Sequence, residues 1–153
     1  MLIKRSEKQF SAKGLRFGIA AARYNPELAD ALVENCRATL VAAGARRITV
    51  WRVPGSFEVT AAAARLAKSG QYDCVIALGV LLQGETRHAQ HIGDAVAHGL
   101  TQIAILTGVP TIFGVVTAGN LRQARVRCLS KHYNRGREAA QTAIEMARLW
   151  KNL

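Results

Sequence analysis

Apolar residues fall along this chain in two alternating rhythms: blocks the length of a strand, and longer stretches at helical spacing. Leu15 to Ala21 is a short apolar block behind a Lys13-Gly14 turn, and Arg23-Tyr24-Asn25-Pro26 punctuates its end. From Pro26 to about Ala43, Leu28, Ala31, Leu32, Asn35, Cys36 and Leu40 lie near one helical face. Asn25 serves as cap, Pro26 as first helical residue and Gly44 as terminator. Arg46 to Arg52 predicts a second strand, closed by Val53-Pro54-Gly55. Ser56 then caps an alanine-rich helix that reaches Lys68 or Ser69 before Gly70. Asp73 to Val80 is the most apolar strand, its apolar run continuing to Leu82. The helix after it carries Ile92, Ala95, Val96, Leu100, Ile103 and Leu106 at helical spacing and stops at Gly108. Thr111 to Val116 is a fourth strand, and helices over Leu121 to about Ser130 and Arg135 to about Trp150 close the pattern. Repeated βα units imply an α/β fold, a four-stranded parallel sheet with helices on both faces. Residues 2–10 read as a further strand without a partner. An N-terminal arm, 1–12, that pairs with a neighbouring subunit resolves this.

The segment Gly79-Val80-Leu81-Leu82-Gln83-Gly84-Glu85-Thr86-Arg87-His88 runs from a buried strand through a glycine turn straight into a helix. Ligands of parallel sheets collect at the carboxyl ends of strands. Backbone N–H groups around Gly84, Glu85 and Thr86 therefore suit an anion, with His88 one turn further on for proton transfer. His88 and His91 stand three apart, but Asp94 is the only acid nearby, so no metal site is expected.

The 153 residues suit one domain with a full core, and 50% of them are apolar, enough to leave surface for a subunit interface. No charge-free run approaches a membrane span, the start lacks a signal-peptide core, and Cys36, Cys74 and Cys128 are isolated in apolar surroundings. These features predict a cytoplasmic protein with buried thiols and no membrane contact. The formal charge of +11 needs its own account. Arg122, Arg125, Arg127, Lys131, Arg135 and Arg137 crowd the acid-free segment 121–137. With Tyr133 as its one aromatic and no nucleic-acid motif, the segment reads as a solvated helix face that helps bind an anionic substrate. Nucleic acid is not expected as a partner.

Four blocks in order resemble the 6,7-dimethyl-8-ribityllumazine synthase family of riboflavin biosynthesis: Arg23-Tyr24-Asn25, Val53-Pro54-Gly55-Ser56-Phe57-Glu58, Gly84-Glu85-Thr86-Arg87-His88 and Phe113-Gly114-Val115-Val116-Thr117. The similarity runs from Gly14 to Ala147. It implies a flavodoxin-like three-layer sandwich and a transferase that joins 5-amino-6-(D-ribitylamino)uracil to 3,4-dihydroxy-2-butanone 4-phosphate, with no cofactor or metal. It assigns the pyrimidine to Tyr24, Phe113 and the backbone of Val80, Leu81 and Leu82. Ser56, Phe57 and Glu58 take the ribityl hydroxyls, Glu85, Thr86 and Arg127 the phosphate, and His88 the proton transfers. It further implies homopentamers with sites between subunits, in some members closed into an icosahedral capsid of twelve pentamers, and riboflavin synthase as a partner. The chain departs from the family pattern at Gln83, Ala89, Gln90, His91, Gly119-Asn120, Val126 and Leu129. A noncatalytic or weakly active assembly protein of the same fold, with a basic shell for polyanions or flavin, is the alternative reading.

Overall fold

The computed structural model describes residues 9–153. Strands β1 (Arg16–Ala22), β2 (Arg47–Val53), β3 (Cys74–Leu82) and β4 (Thr111–Ala118) alternate with helices α1 (Pro26–Ala42), α2 (Val59–Lys68) and α3 (His88–Thr107). Helices α4 (Leu121–Leu129) and α5 (Arg135–Asn152) follow. All strand pairs are parallel, in the order β2-β1-β3-β4. The chain leaves β1 toward one side of the sheet and returns to the other, so the order reverses between β1 and β3. Crevices form at such switch points.

Strand β3 is buried at every position but its last, because helices cover both of its faces. On one face Leu28, Leu32, Cys36 and Leu40 of α1 and the small residues of α5 pack on Phe17, Ile19, Ile76 and Leu78. On the other, Val59, Ala63 and Leu66 of α2 and Val96 and Leu100 of α3 pack on Ala20, Val75 and Ala77. Each fully buried Leu or Ile contributes roughly 1.5–3 kcal/mol. The alanines of α5 let it lie close, and at Gly136 an added Cβ would strike the carbonyl oxygen of Leu32 in α1.

The amino edge of the sheet is held by charge. Asp73 Oδ2 accepts the N–H of Arg16 at 2.7 Å, and its Oδ1 lies 3.1 Å from Arg16 Nη2 and 3.8 Å from Lys151 Nζ. Burial disfavours the Asp73 carboxylate, but its bonds to Arg16 outweigh this and hold its pKa below the usual value.

Both expected caps differ from the sequence reading. Ser56 lies before α2, which opens at Val59 with Glu58 in the cap position and no side-chain cap. Asn25 precedes α1 without capping it. Leu129 keeps an ordinary negative φ, since among described residues only Asn25 is a positive-φ non-glycine. The expected arm lies largely outside the described residues, and 9–12 form no strand.

Candidate active site

Three loops meet at the carboxyl end of the sheet. The β1 and β2 loops are laced together by main-chain bonds: the N–H of Arg23 donates to Val53 O at 2.9 Å, and that of Tyr24 to Pro54 O at 3.2 Å. The ring of Tyr24 packs close to Gly55, where an added Cβ would stand 3.0 Å from its Cδ2 and from Glu58 Oε2, so any larger residue would push the ring or the carboxylate aside. Glu58 turns back so that its Oε2 accepts the Gly55 N–H at 2.9 Å. A carboxylate has further acceptor sites, so one such bond leaves capacity for hydroxyl groups. Phe57 and Tyr24 are 59% and 68% exposed, two aromatic faces open to solvent at one rim.

Ser56 sits deeper, only 5% exposed, and its Oγ has no hydrogen-bond partner. It rests on β3 where residue 79 is glycine: a Cβ there would collide with Ser56 Oγ and come within 3.3 Å of Ala22 Cβ. A buried hydroxyl without a partner is costly unless a ligand or water completes it. On the next residue, the carbonyl of Val80 accepts Asn25 Nδ2 at 3.1 Å. The turn bearing Tyr24 is thereby tied to the end of β3, beside Leu81 and Leu82.

The β3 loop is exposed from Gln83 to His88. The N–H of Gln83 stays in the sheet on Ala118 O at 2.8 Å, and its side-chain Nε2 donates to Thr86 O at 3.3 Å. His88 is the first residue of α3, its N–H 3.5 Å from Thr86 Oγ1. The amides of Gly84, Glu85 and Thr86 thus precede a 20-residue helix whose positive dipole end faces the same opening.

One expected residue stands apart from this group, and another is turned to solvent. Phe113 lies midway along β4 and pairs in register with Ala77, five residues before Leu82. At a strand rise of about 3.3 Å per residue, that is about 16 Å below the start of the β3 loop and about 10 Å below the level at which the β1 and β2 loops begin. It is 48% exposed on the sheet edge, in a groove of about 390 Å³ shared with Arg135, Glu138, Thr142 and Trp150. Arg127 projects from the exposed side of α4, and no partner is recorded for it among the described residues. The sequence reading names Asn25 and Arg135 but missed two contacts: the tie from Asn25 to Val80, and the place of Arg135 in the groove beside Phe113.

No group of three His, Cys, Asp or Glu side chains among the described residues is arranged to hold a metal. The cysteines make poor nucleophiles. Burial pushes Cys36 up to about 12 and Cys128 to about 11, and Cys74, fully buried, moves in the same direction.

A parallel sheet covered on both faces, with aromatic, carboxylate, imidazole and helix-start groups near its switch point, defines an α/β protein with a polar crevice at the carboxyl end of its strands. The family model described as 6,7-dimethyl-8-ribityllumazine synthase matches residues 14–151. The chain is 47% identical over 149 residues to the 6,7-dimethyl-8-ribityllumazine synthase of Aquifex aeolicus, covering 96% of this chain and 97% of that protein. It is 40% identical over 153 residues to the enzyme of that name from Thermococcus onnurineus, covering 100% of each, and 41% identical over 153 residues to that of Chlorobium phaeobacteroides, covering 99% of each. The chain belongs to the 6,7-dimethyl-8-ribityllumazine synthase family.

Proposed function

We propose that this protein condenses 5-amino-6-(D-ribitylamino)uracil with 3,4-dihydroxy-2-butanone 4-phosphate, releasing phosphate and water. The chemistry is imine formation, phosphate elimination and ring closure, which requires positioning, an anion site and proton transfer. Tyr24 offers the flat face for the pyrimidine, and its edge lies along the segment Val80, Leu81 and Leu82, where the main-chain groups left free by the sheet read it. Ser56, Phe57 and Glu58 take the ribityl chain. The amides of Glu85 and Thr86 face the phosphate, whose charge Arg127 balances with a planar fork of donors. His88, at the start of α3, moves the protons.

The observation that carries this reading is the meeting of exposed Tyr24, the Glu58 carboxylate and His88 at the start of α3 at one end of the sheet, in a chain that matches the family over residues 14–151. The test is lumazine formation from the two substrates: the wild type turns over, and His88→Ala lowers kcat by about 10²–10⁴-fold. A wild type that binds the pyrimidine without turnover contradicts the reading.

The remoteness of Phe113 supports a site completed by a neighbouring copy, in a homopentamer. Exposed Leu121, Val126, Leu149 and Trp150 are consistent with subunit contacts, including those of a capsid and of a riboflavin synthase partner. The polyanion alternative draws less support. Of the six cations in 121–137, Arg125 pairs with Glu27, Arg135 with Glu138, and Arg137 donates to the carbonyls of Lys131 and His132. No described helix is long and apolar enough to cross a membrane, and a cytoplasmic location fits this chemistry.

A further inference from the structure

Asn25 is the only non-glycine residue with positive φ among those described, at φ 57° and ψ 59°. Asparagine tolerates this left-handed region better than most side chains, yet the position still selects against ordinary residues. The same chain contains two asparagines that behave differently. Asn120 and Asn134 precede α4 and α5 with extended backbones, and their side chains cap Gln123 N and Arg137 N. Asn25 precedes α1 and leaves its cap unmade, sending its carboxamide to Val80, 55 residues away.

The register explains what that bond replaces. Ala21 pairs with Leu78, so residue 23 stands opposite Val80. In a continued parallel ladder the carbonyl of Val80 would accept the N–H of Tyr24. That N–H is already given to Pro54 O at 3.2 Å, because β1 ends at Ala22 and its loop swings toward β2. Asn25 Nδ2 takes the vacant rung at 3.1 Å. Successive residues of a strand direct their main-chain groups to opposite edges. Gln83 bonds to β4, so Leu81 also faces β4, while Val80 and Leu82 face β1. With the Val80 carbonyl engaged, Leu82 keeps its N–H and C=O directed at the switch point, where no strand stands opposite.

We infer that Asn25 is a positioning residue for the pyrimidine: its carboxamide fixes the gap between the Tyr24 turn and β3, and withholds the Val80 carbonyl so that Leu82 reads the ring edge. The inference rests on the pyrimidine pocket proposed above. It is tested in the assembled, full-length protein with Asn25→Asp and Asn25→Gly. Both replacements tolerate the backbone, and neither donates to Val80. The measurements are steady-state kinetics, calorimetric binding of the ribitylaminouracil alone, and circular dichroism with melting as the control for folding.

Both variants are expected to fold and to raise the KM and Kd for the pyrimidine about 10-fold, a misplacement effect. The kcat should stay within about threefold, and the KM of the phosphorylated ketone should not change. Unchanged pyrimidine affinity in the folded variants would overturn the inference. So would a fall in kcat with both KM values intact, which would put Asn25 in the chemistry, or a loss of folding in both variants, which would make it a stability residue. A wild type that binds pyrimidine without making lumazine would defeat the proposed reaction, while the binding ratio would still decide the role of Asn25. If the wild type does not bind the pyrimidine, both fail.

Discussion

Gly79 and Asp73 lie at opposite ends of β3, one under the candidate site and one under the amino edge. At Gly79 the strand runs so close beneath Ser56 that a methyl group has no vacant space. Gly79→Ala should lower stability by about 1–3 kcal/mol through overpacking, and raise the KM for the pyrimidine because Ser56 must shift. Thermal melting and kinetics on the same sample check both effects. At Asp73, Arg16 and Lys151 favour the charged carboxylate, so its pKa in the fold lies below the unfolded value. The stabilisation is therefore fully present above the unfolded pKa of about 3.9 and is lost as pH falls through the folded pKa. Asp73→Asn should cost about 1–3 kcal/mol at neutral pH. It should also flatten the fall in stability below about pH 4, measured by urea unfolding across pH. At this scale the sequence was only partly legible. That Tyr24, Glu58 and His88 lie at the carboxyl end of the sheet is legible from their places after apolar blocks, whereas Asn25 before Pro26 reads as a helix cap. Nothing local reveals that a strand ending at Ala22 leaves an unfilled rung on Val80.

Elements were far easier to read than contacts. The central strands β1 and β3 show because burial on both sheet faces writes continuous apolar blocks, while β2 and β4, at the edges and only partly buried, are marked by β-branched residues and by the intervening Gly, Pro and Asn turns. The boundaries moved by a few residues, most at β3, whose last two residues continue the ladder with β4 past β1's end. Close approach between elements is less visible, since a glycine within a helix carries no label saying what it touches. Gly136 illustrates the balance of magnitudes. Replacing a helical glycine with alanine should stabilise by about 1 kcal/mol from propensity alone. Here the new Cβ would strike the backbone carbonyl of Leu32, which cannot rotate away like a side chain. Overpacking of about 1–3 kcal/mol, at its upper end against backbone, wins. Gly136→Ala should therefore melt lower than the wild type, the opposite of the propensity ranking, and a melt at or above the wild-type temperature would show that α5 slides freely on α1.

At the scale of the whole molecule, a single copy holds the proposed site residues in two separate places. The loops after β1, β2 and β3 gather Tyr24, Ser56, Glu58 and His88, while Phe113 sits about 10–16 Å down the open edge of β4 by strand rise. Phe113 itself is held there, because β4 is hydrogen-bonded to β3 along its length. The sequence analysis could order the blocks but not separate them by subunit, since register is a property of the folded sheet. If the proposed site forms between neighbours, mixing variants gives a sharp outcome. His88→Ala and Phe113→Ala should each lose most activity alone. When they are unfolded together at equal concentration and reassembled, some interfaces pair the intact loop side of one chain with the intact edge of the other. Random assembly in a symmetric ring makes about one quarter of the interfaces fully wild type. Activity should then recover to about one quarter of a wild-type sample treated the same way, although neither parent contributes it. Recovery no greater than the average of the two parents would mean that one chain supplies both His88 and its aromatic partner, and the shared-site reading would fail even if the enzyme proved pentameric.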